Sequence, residues 1–176
     1  MKKEIKIAIS GKSGCGNTTI CKMIAEKLGI RFINFTFRNL ANERDFDLKT
    51  VLELAAEDDS WDREVDRRQV ALAREKGGCV LGSRLAVWML EEADLKVYLE
   101  ASPQIRARRI LKREGDDLEK ISAFTAERDK QDHGRYLRIY NIDTDNYGFV
   151  DMVIDTDNLP PDEISQMIID AAGRCS

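Results

Sequence analysis

Between a strand-like run and a helix-like run lies the stretch ISGKSGCGNTT, from Ile9 to Thr19, with Gly11 and Gly16 five residues apart; no other feature restricts the fold as much. Ahead of it, Ile5, Ile7 and Ile9 alternate with Lys6 and Ala8, the period of a strand; behind it, Ile20, Met23, Ile24 and Leu28 recur at helical spacing. A loop that joins a strand to a helix with its N–H groups turned inward forms a nest for an anion, and a side chain inside it would block the approach. Gly11, Gly14 and Gly16 supply the needed freedom.

The rest of the chain repeats the alternation. Asp47 is placed to cap a helix with Leu48, Val51, Leu52 and Ala55 on one face, and Ser60 to cap a second helix that ends at Gly77 and Gly78. Cys79 to Leu81 reads as a short buried strand, Leu85, Trp88 and Met89 as a helix, and Leu95 to Leu99 as another strand. Ser102 followed by Pro103 starts a helix, because proline at the first helical position sacrifices no hydrogen bond. One long charged helical stretch is expected from there to about Tyr140. A last strand, Val150 to Asp155, precedes a helix opened by Pro160 and Pro161. Strands separated by helices throughout predict a parallel sheet with helices on both faces, since each parallel crossover needs such a connection. The expected fold is a three-layer α/β domain spanning residues 1–176, with two charged helical excursions as its mobile parts.

Composition narrows the function classes. The chain has 176 residues, within the usual range of one domain, and a net charge of -4. No apolar run approaches the roughly 18 residues of a membrane span, and MKKEIKIAIS lacks a continuous apolar core and a cleavage site, which reads as a strand in a cytosolic protein. Cys15, Cys21, Cys79 and Cys175 have neither CxxC spacing nor a histidine cluster nearby, so four thiols are expected. Cations gather locally inside this acidic protein, at Arg106, Arg108, Arg109, Lys112 and Arg113 and again at Arg128, Lys130, Arg135 and Arg138. That distribution suits a small polyanion in a cleft and not a nucleic acid, for which a whole domain is more often basic. A monomer working without nucleic acid or membrane is the expectation.

Within the loop, the pattern GxxxxGK[ST] puts lysine on the β- and γ-phosphates of a nucleotide and the next hydroxyl on magnesium. Gly11, Gly16 and Thr18 match it, and Asn17 stands where lysine belongs. Lys12 lies early in the loop, where its side chain is expected to face solvent. Lys12, Ser13, Cys15 and Thr19 complete the expected contact set with the three glycines, Asn17 and Thr18. Arg106, Arg109 and Arg113 recur at three and four residues on one helical face, either as an ordinary basic surface or as a row of charge aimed at phosphates. His133, the only histidine, has no suggested nucleophilic partner and is read as incidental, while Trp61 and Trp88 are read as core residues.

With the loop, the segments DREVDRRQ (Asp62 to Gln69), LGSRLAVWM (Leu81 to Met89), RARRILKREG (Arg106 to Gly115) and ERDKQDHGRY (Glu127 to Tyr136) resemble cytidylate kinase of the archaeal type, a P-loop nucleoside monophosphate kinase. The likeness spans nearly the whole chain and lies in the order and spacing of the blocks. It implies a P-loop kinase fold, ATP and magnesium, and phosphoryl transfer to CMP or dCMP. It further implies an acceptor-binding segment at about 36–76 and a lid at about 104–116. Carried over by position, Arg38 and Arg84 would clamp the acceptor phosphate, while Arg128, Asp132 and Arg135 would hold the acceptor nucleotide. Asp62 and Asp66 would read its base and ribose, and Thr18 would meet the metal. Lid arginines Arg106 and Arg109 would offset the charge lost at Asn17.

Two other readings stay open. Asp62 or Asp66 could serve as the base of a kinase for a hydroxylated metabolite such as shikimate. Alternatively, the missing lysine could mark a catalytically silent nucleotide-binding protein.

Overall fold

Ile7, Ala8 and Ile9 are fully buried because the strand they form, β1 (Lys6–Gly11), has a neighbour on each side and helices on each face. The computed structural model describes residues 4–115 and 117–175. The first three residues of the expected domain, its last residue and the final position of the expected 104–116 stretch lie outside the described residues.

The chain continues through α1 (Asn17–Leu28), β2 (Arg31–Ile33), α2 (Phe37–Glu43), α3 (Leu48–Glu57), α4 (Ser60–Arg74), β3 (Cys79–Gly82) and the single-turn α5 (Ala86–Met89). It ends with β4 (Leu95–Glu100), α6 (Pro103–Glu114), α7 (Leu118–Tyr140), β5 (Met152–Asp155) and α8 (Pro161–Arg174). All five strands are parallel, in the order β2-β3-β1-β4-β5, with Ile7 opposite Val80 on one side and Leu95 on the other. The expected three-layer α/β fold is therefore present.

The period of two along β1 sorts the core. Ile7 and Ile9 pack with Ile20 and Ile24 of α1 and Ile164 and Ile168 of α8, whereas Ala8 packs with Leu81 and with Ala86 and Val87 of α5. The buried hydroxyl of Ser10 accepts the Val87 N–H at 3.1 Å, fixing α5 to β1.

Some expected boundaries shift. Asp47 accepts the Thr50 N–H at 2.8 Å as the α3 cap, and Ser102 accepts that of Ile105 at 3.4 Å as the α6 cap. Ser60, expected as a cap, is instead the first helical residue; its N–H and hydroxyl donate to Asp58 at 2.8 and 2.7 Å. The expected continuous helix to Tyr140 is broken at Gly115, whose φ of +73° favours glycine, and restarts under Asp117, which accepts the N–H groups of Glu119 and Lys120. The short edge strand β2 and helix α2 have no counterpart in the sequence reading.

Candidate active site

The loop after β1 is shaped by backbone geometry. Gly14 and Gly16 hold φ of 85° and 92°, and a Cβ on Gly11 would stand 2.7 Å from the Leu99 carbonyl. Gly16 caps α1 without a side-chain hydrogen bond, so the first N–H groups of α1 are left for an anion, in line with the helix dipole. Thr156, 1% exposed at the end of β5, brackets the loop: its hydroxyl donates within reach of the Cys15 carbonyl (3.3 Å) and the Glu100 carbonyl (2.9 Å). Parallel α/β sheets place ligands at this carboxyl edge.

A cavity of about 810 Å³ opens there, lined by the loop from Gly11 to Thr19, by Asp62, Asp66 and Gln69 of α4, and by Arg84 after β3. Arg109, Lys112 and Arg113 of α6 and Arg128, Arg135 and Tyr136 of α7 complete its charged wall. Phe35 and Phe37 add apolar surface beside α4. Thus residues far apart in sequence, the anion nest and several arginines among them, share one cleft.

On the α7 side the charges are already interlocked. Arg84 donates to Asp132 and to the Ser13 hydroxyl; Arg135 donates to the other Asp132 oxygen at 2.9 Å and lies 3.4 Å from Asp62. Asp132 thus reaches the cleft only through two arginines. Asp62 is 4% exposed, and its Oδ2 is without a hydrogen-bond partner among the described residues, as is Oε1 of Gln69 at 5% exposure. Burial raises the carboxyl pKa of Asp62, and raises that of Asp66 to about 6 although the Tyr140 hydroxyl donates to it at 2.7 Å. Oδ2 of Asp62 and Oε1 of Gln69 can each accept a hydrogen bond, and an unmade buried one is costly.

The row expected on α6 splits. Arg109 and Arg113 line the cavity, but Arg106 is turned behind the loop: its Nε donates to the Ser13 carbonyl at 2.7 Å and its two terminal nitrogens to Asp129 at 2.7 and 2.8 Å. With its side chain 5% exposed, Arg106 does not face the cleft. This corrects its expected direct contact with transferring phosphate. Arg109 donates to the Thr156 hydroxyl and carbonyl, at 2.9 and 2.6 Å, and to the Gly14 carbonyl at 3.3 Å. Arg38 is exposed on α2 and is not part of the cavity wall.

Asn17 also departs from the expectation of an amide aimed at phosphate. Its Nδ2 donates to the Ile9 carbonyl at 3.2 Å, and its Oδ1 accepts from the Cys21 thiol at 3.0 Å. Lys12 lines the cleft and pairs with Asp145 at 2.9 Å, its side chain 39% exposed to solvent. His133 stands 3.7 Å from Asp143 and Asp145, a cluster already holding the Lys12 ammonium. Cys15 is 2% exposed, and burial pushes its thiol pKa up despite the opposing field of Arg106 and Arg109. Cys15 is therefore a thiol, as expected from the sequence. Thr18 is exposed in the first turn of α1 and lines the cleft. One protein hydroxyl beside a phosphate nest fits magnesium, which keeps several waters and is often held by few protein groups together with substrate phosphates.

A model of the cytidylate kinase-like family matches residues 6–158. The chain belongs to that family. Cytidylate kinase 2 of Borreliella afzelii (strain PKo) is 46% identical over 170 residues, covering 94% of this chain and 95% of that protein. The archaeal side of the family is represented by the cytidylate kinase of Thermococcus sibiricus (strain DSM 12597 / MM 739), 40% identical over 169 residues, 95% of this chain and 87% of that protein. Among solved structures, an uncharacterized protein from Eubacterium ventriosum ATCC 27560 aligns with a TM-score of 0.71 at 20% identity, over 97% of this chain and 99% of that one. A shikimate kinase from Bacteroides thetaiotaomicron aligns at 0.62 and 17% identity, over 95% and 97%. At such identities these structures speak for the P-loop kinase fold alone. Among the described residues no helix is long and apolar enough to cross a membrane.

Gln69, Phe35, Phe37 and Tyr136 are cavity residues that the sequence reading did not single out. Gln69 ends the quoted DREVDRRQ block, seven residues after Asp62 on the same helical face, so its spacing was the available signal.

Proposed function

We propose that the protein transfers the γ-phosphoryl group of ATP to CMP or dCMP, giving ADP and CDP or dCDP. The observation that carries this reading is that Arg84, Arg128 and Arg135 line the same cleft as the phosphate-nest loop. An acceptor phosphate needs an arginine fork that pairs two oxygens at once. The names of the related proteins, cytidylate kinases at 36–46% identity, favour this acceptor over a shikimate-like one.

On this reading the nest and the first turn of α1 hold the β- and γ-phosphates of ATP. Thr18 would hold magnesium, which supplies charge neutralisation between the phosphates. Arg84, Arg128 and Arg135 hold the acceptor phosphate in line with the γ-phosphorus. An acceptor oxygen, already anionic at neutral pH, forms the new O–P bond as the bond to the ADP oxygen breaks, so no general base is required. Asp62 and Asp66 accept hydrogen bonds from the cytosine amino group or the sugar. Arg109 and Arg113 supply positive charge to the transferring group, and Arg106 acts at one remove through the loop. In this scheme α2 to α4 form the acceptor arm and α6 the lid. All these groups come from one chain, which fits a monomer acting on free cytosolic nucleotides.

Incubating the protein with ATP and magnesium against CMP, dCMP, UMP, AMP, GMP and shikimate, with products identified by mass, tests the proposal. CDP and dCDP are expected as the main products. Faster turnover of AMP or shikimate than of CMP, or ATP binding with no phosphorylated product, would overturn it.

A further inference from the structure

Ser13 is held by two arginines from two directions. Its carbonyl accepts the Nε–H of Arg106 at 2.7 Å, and its hydroxyl accepts from Nη2 of Arg84. Behind each arginine stands a carboxylate of α7: Asp129 takes both terminal nitrogens of Arg106, and Asp132 takes Nη1 of Arg84. Positions 129 and 132 are neighbours on one helical face.

The two links differ in burial. The Arg106 side chain is 5% exposed and its pairing is bidentate, so this link fixes the Ser13 backbone. Gly14 closes on the same element: a Cβ there would lie 2.9 Å from the Arg106 carbonyl. The Arg84 side chain is 24% exposed and lines the cavity. A guanidinium has five N–H groups, so two tethers leave others for a ligand. Asp132 alone would let the planar group swing about one ion pair towards α7, whereas a second tether on a fixed serine sets its plane.

We propose that Ser13 is a positioning residue for the acceptor side. Its hydroxyl orients Arg84 towards the phosphate of the nucleoside monophosphate, so the loop that receives the donor also aims the clamp on the acceptor. This deepens, and rests on, the reading of Arg84 as an acceptor clamp. It also gives Ser13 a role distinct from that of a donor-phosphate ligand.

The test compares natural protein, Ser13→Ala, Ser13→Thr, Arg84→Ala and the double variant Ser13→Ala/Arg84→Ala in steady-state kinetics with ATP and CMP varied separately. Ser13→Ala is expected to raise the KM for CMP about tenfold and to lower kcat, while the KM for ATP stays within about twofold, the size expected for losing a hydrogen bond to a charged group. Ser13→Thr, which keeps the hydroxyl, restores the natural values. In the Arg84→Ala background, Ser13→Ala adds no further loss, because a residue acting through Arg84 has nothing left to orient. CMP titration by calorimetry without ATP reads the same change independently of turnover. An unchanged KM for CMP, an equal rise for ATP, or additive losses in the double variant would overturn the inference while CDP formation by the natural protein leaves the parent reading intact. Absence of CDP formation by the natural protein would overturn both.

Discussion

Asn17 and Ile9 are joined by a hydrogen bond of 3.2 Å from the asparagine amide to the strand carbonyl, which directs the side chain at the lysine position of the loop back to β1. The other amide atom is also engaged, accepting from Cys21. A side chain so committed helps to anchor α1, and the positive charge for phosphoryl transfer must come from elsewhere in the cleft.

Asn17→Lys is therefore expected to alter kcat by no more than about tenfold, roughly 1.4 kcal/mol. Arg109→Ala is expected to cost far more. Single-turnover CDP formation decides the matter: a natural protein without turnover that gains it when lysine is introduced would mark Asn17 as the scar of a silenced site.

Arg84→Ala should raise the KM for CMP and lower kcat, each by about tenfold or more, with little effect on ATP. The basis is its place in the cavity wall, tied to Asp132 and to Ser13 of the loop. Equal losses with both nucleotides would put Arg84 on the donor instead.

The carboxyl of Asp66 carries a pH signature. Its folded pKa, about 6, lies above the ordinary carboxylate value because burial disfavours the charge. The folded state thus binds the proton more tightly than the unfolded chain. The contribution to stability is full below about pH 4 and is lost as pH rises through about 6. Melting curves of the natural protein and Asp66→Asn should show the variant gaining relative stability between pH 4 and 7.5. A difference in Tm that stays constant over that range would contradict the assignment.

Thiol reactivity should be confined to one position. Cys15, Cys21 and Cys79 are buried and Cys175 is exposed, and burial raises the pKa of all three buried thiols. Titration of the folded protein with a disulfide reagent is expected to give one fast thiol, with Cys15 slow whether or not ATP is present. Rapid labelling of Cys15 would show the loop to be open.

The fold was readable where its determinants are local. The glycines of the loop, the Asp47 cap and the Ser102–Pro103 start act within a few residues, and their geometry follows directly. β2 escaped because three residues, Arg31 to Ile33, show no resolvable period and owe their pairing to β3. The split between α6 and α7 rests on one glycine at positive φ, and glycine within a helical pattern is ambiguous. In the site, periodicity placed Arg106, Arg109 and Arg113 on a common face but could not reveal Asp129, 23 residues further along, which draws Arg106 away. Likewise nothing local to Asn17 announces Ile9 and Cys21 as its partners.

The central position of β1 has a consequence for how the molecule opens. This strand is bonded on both sides, and the nest hangs from its end, so its amides should exchange with solvent only in the most complete unfolding events. α3 buries only Val51 and leaves Leu52 and Leu54 exposed. Stability is thus expected to be graded across the molecule, from β1 and the loop at its end, which open last, to α3, which opens at lower cost.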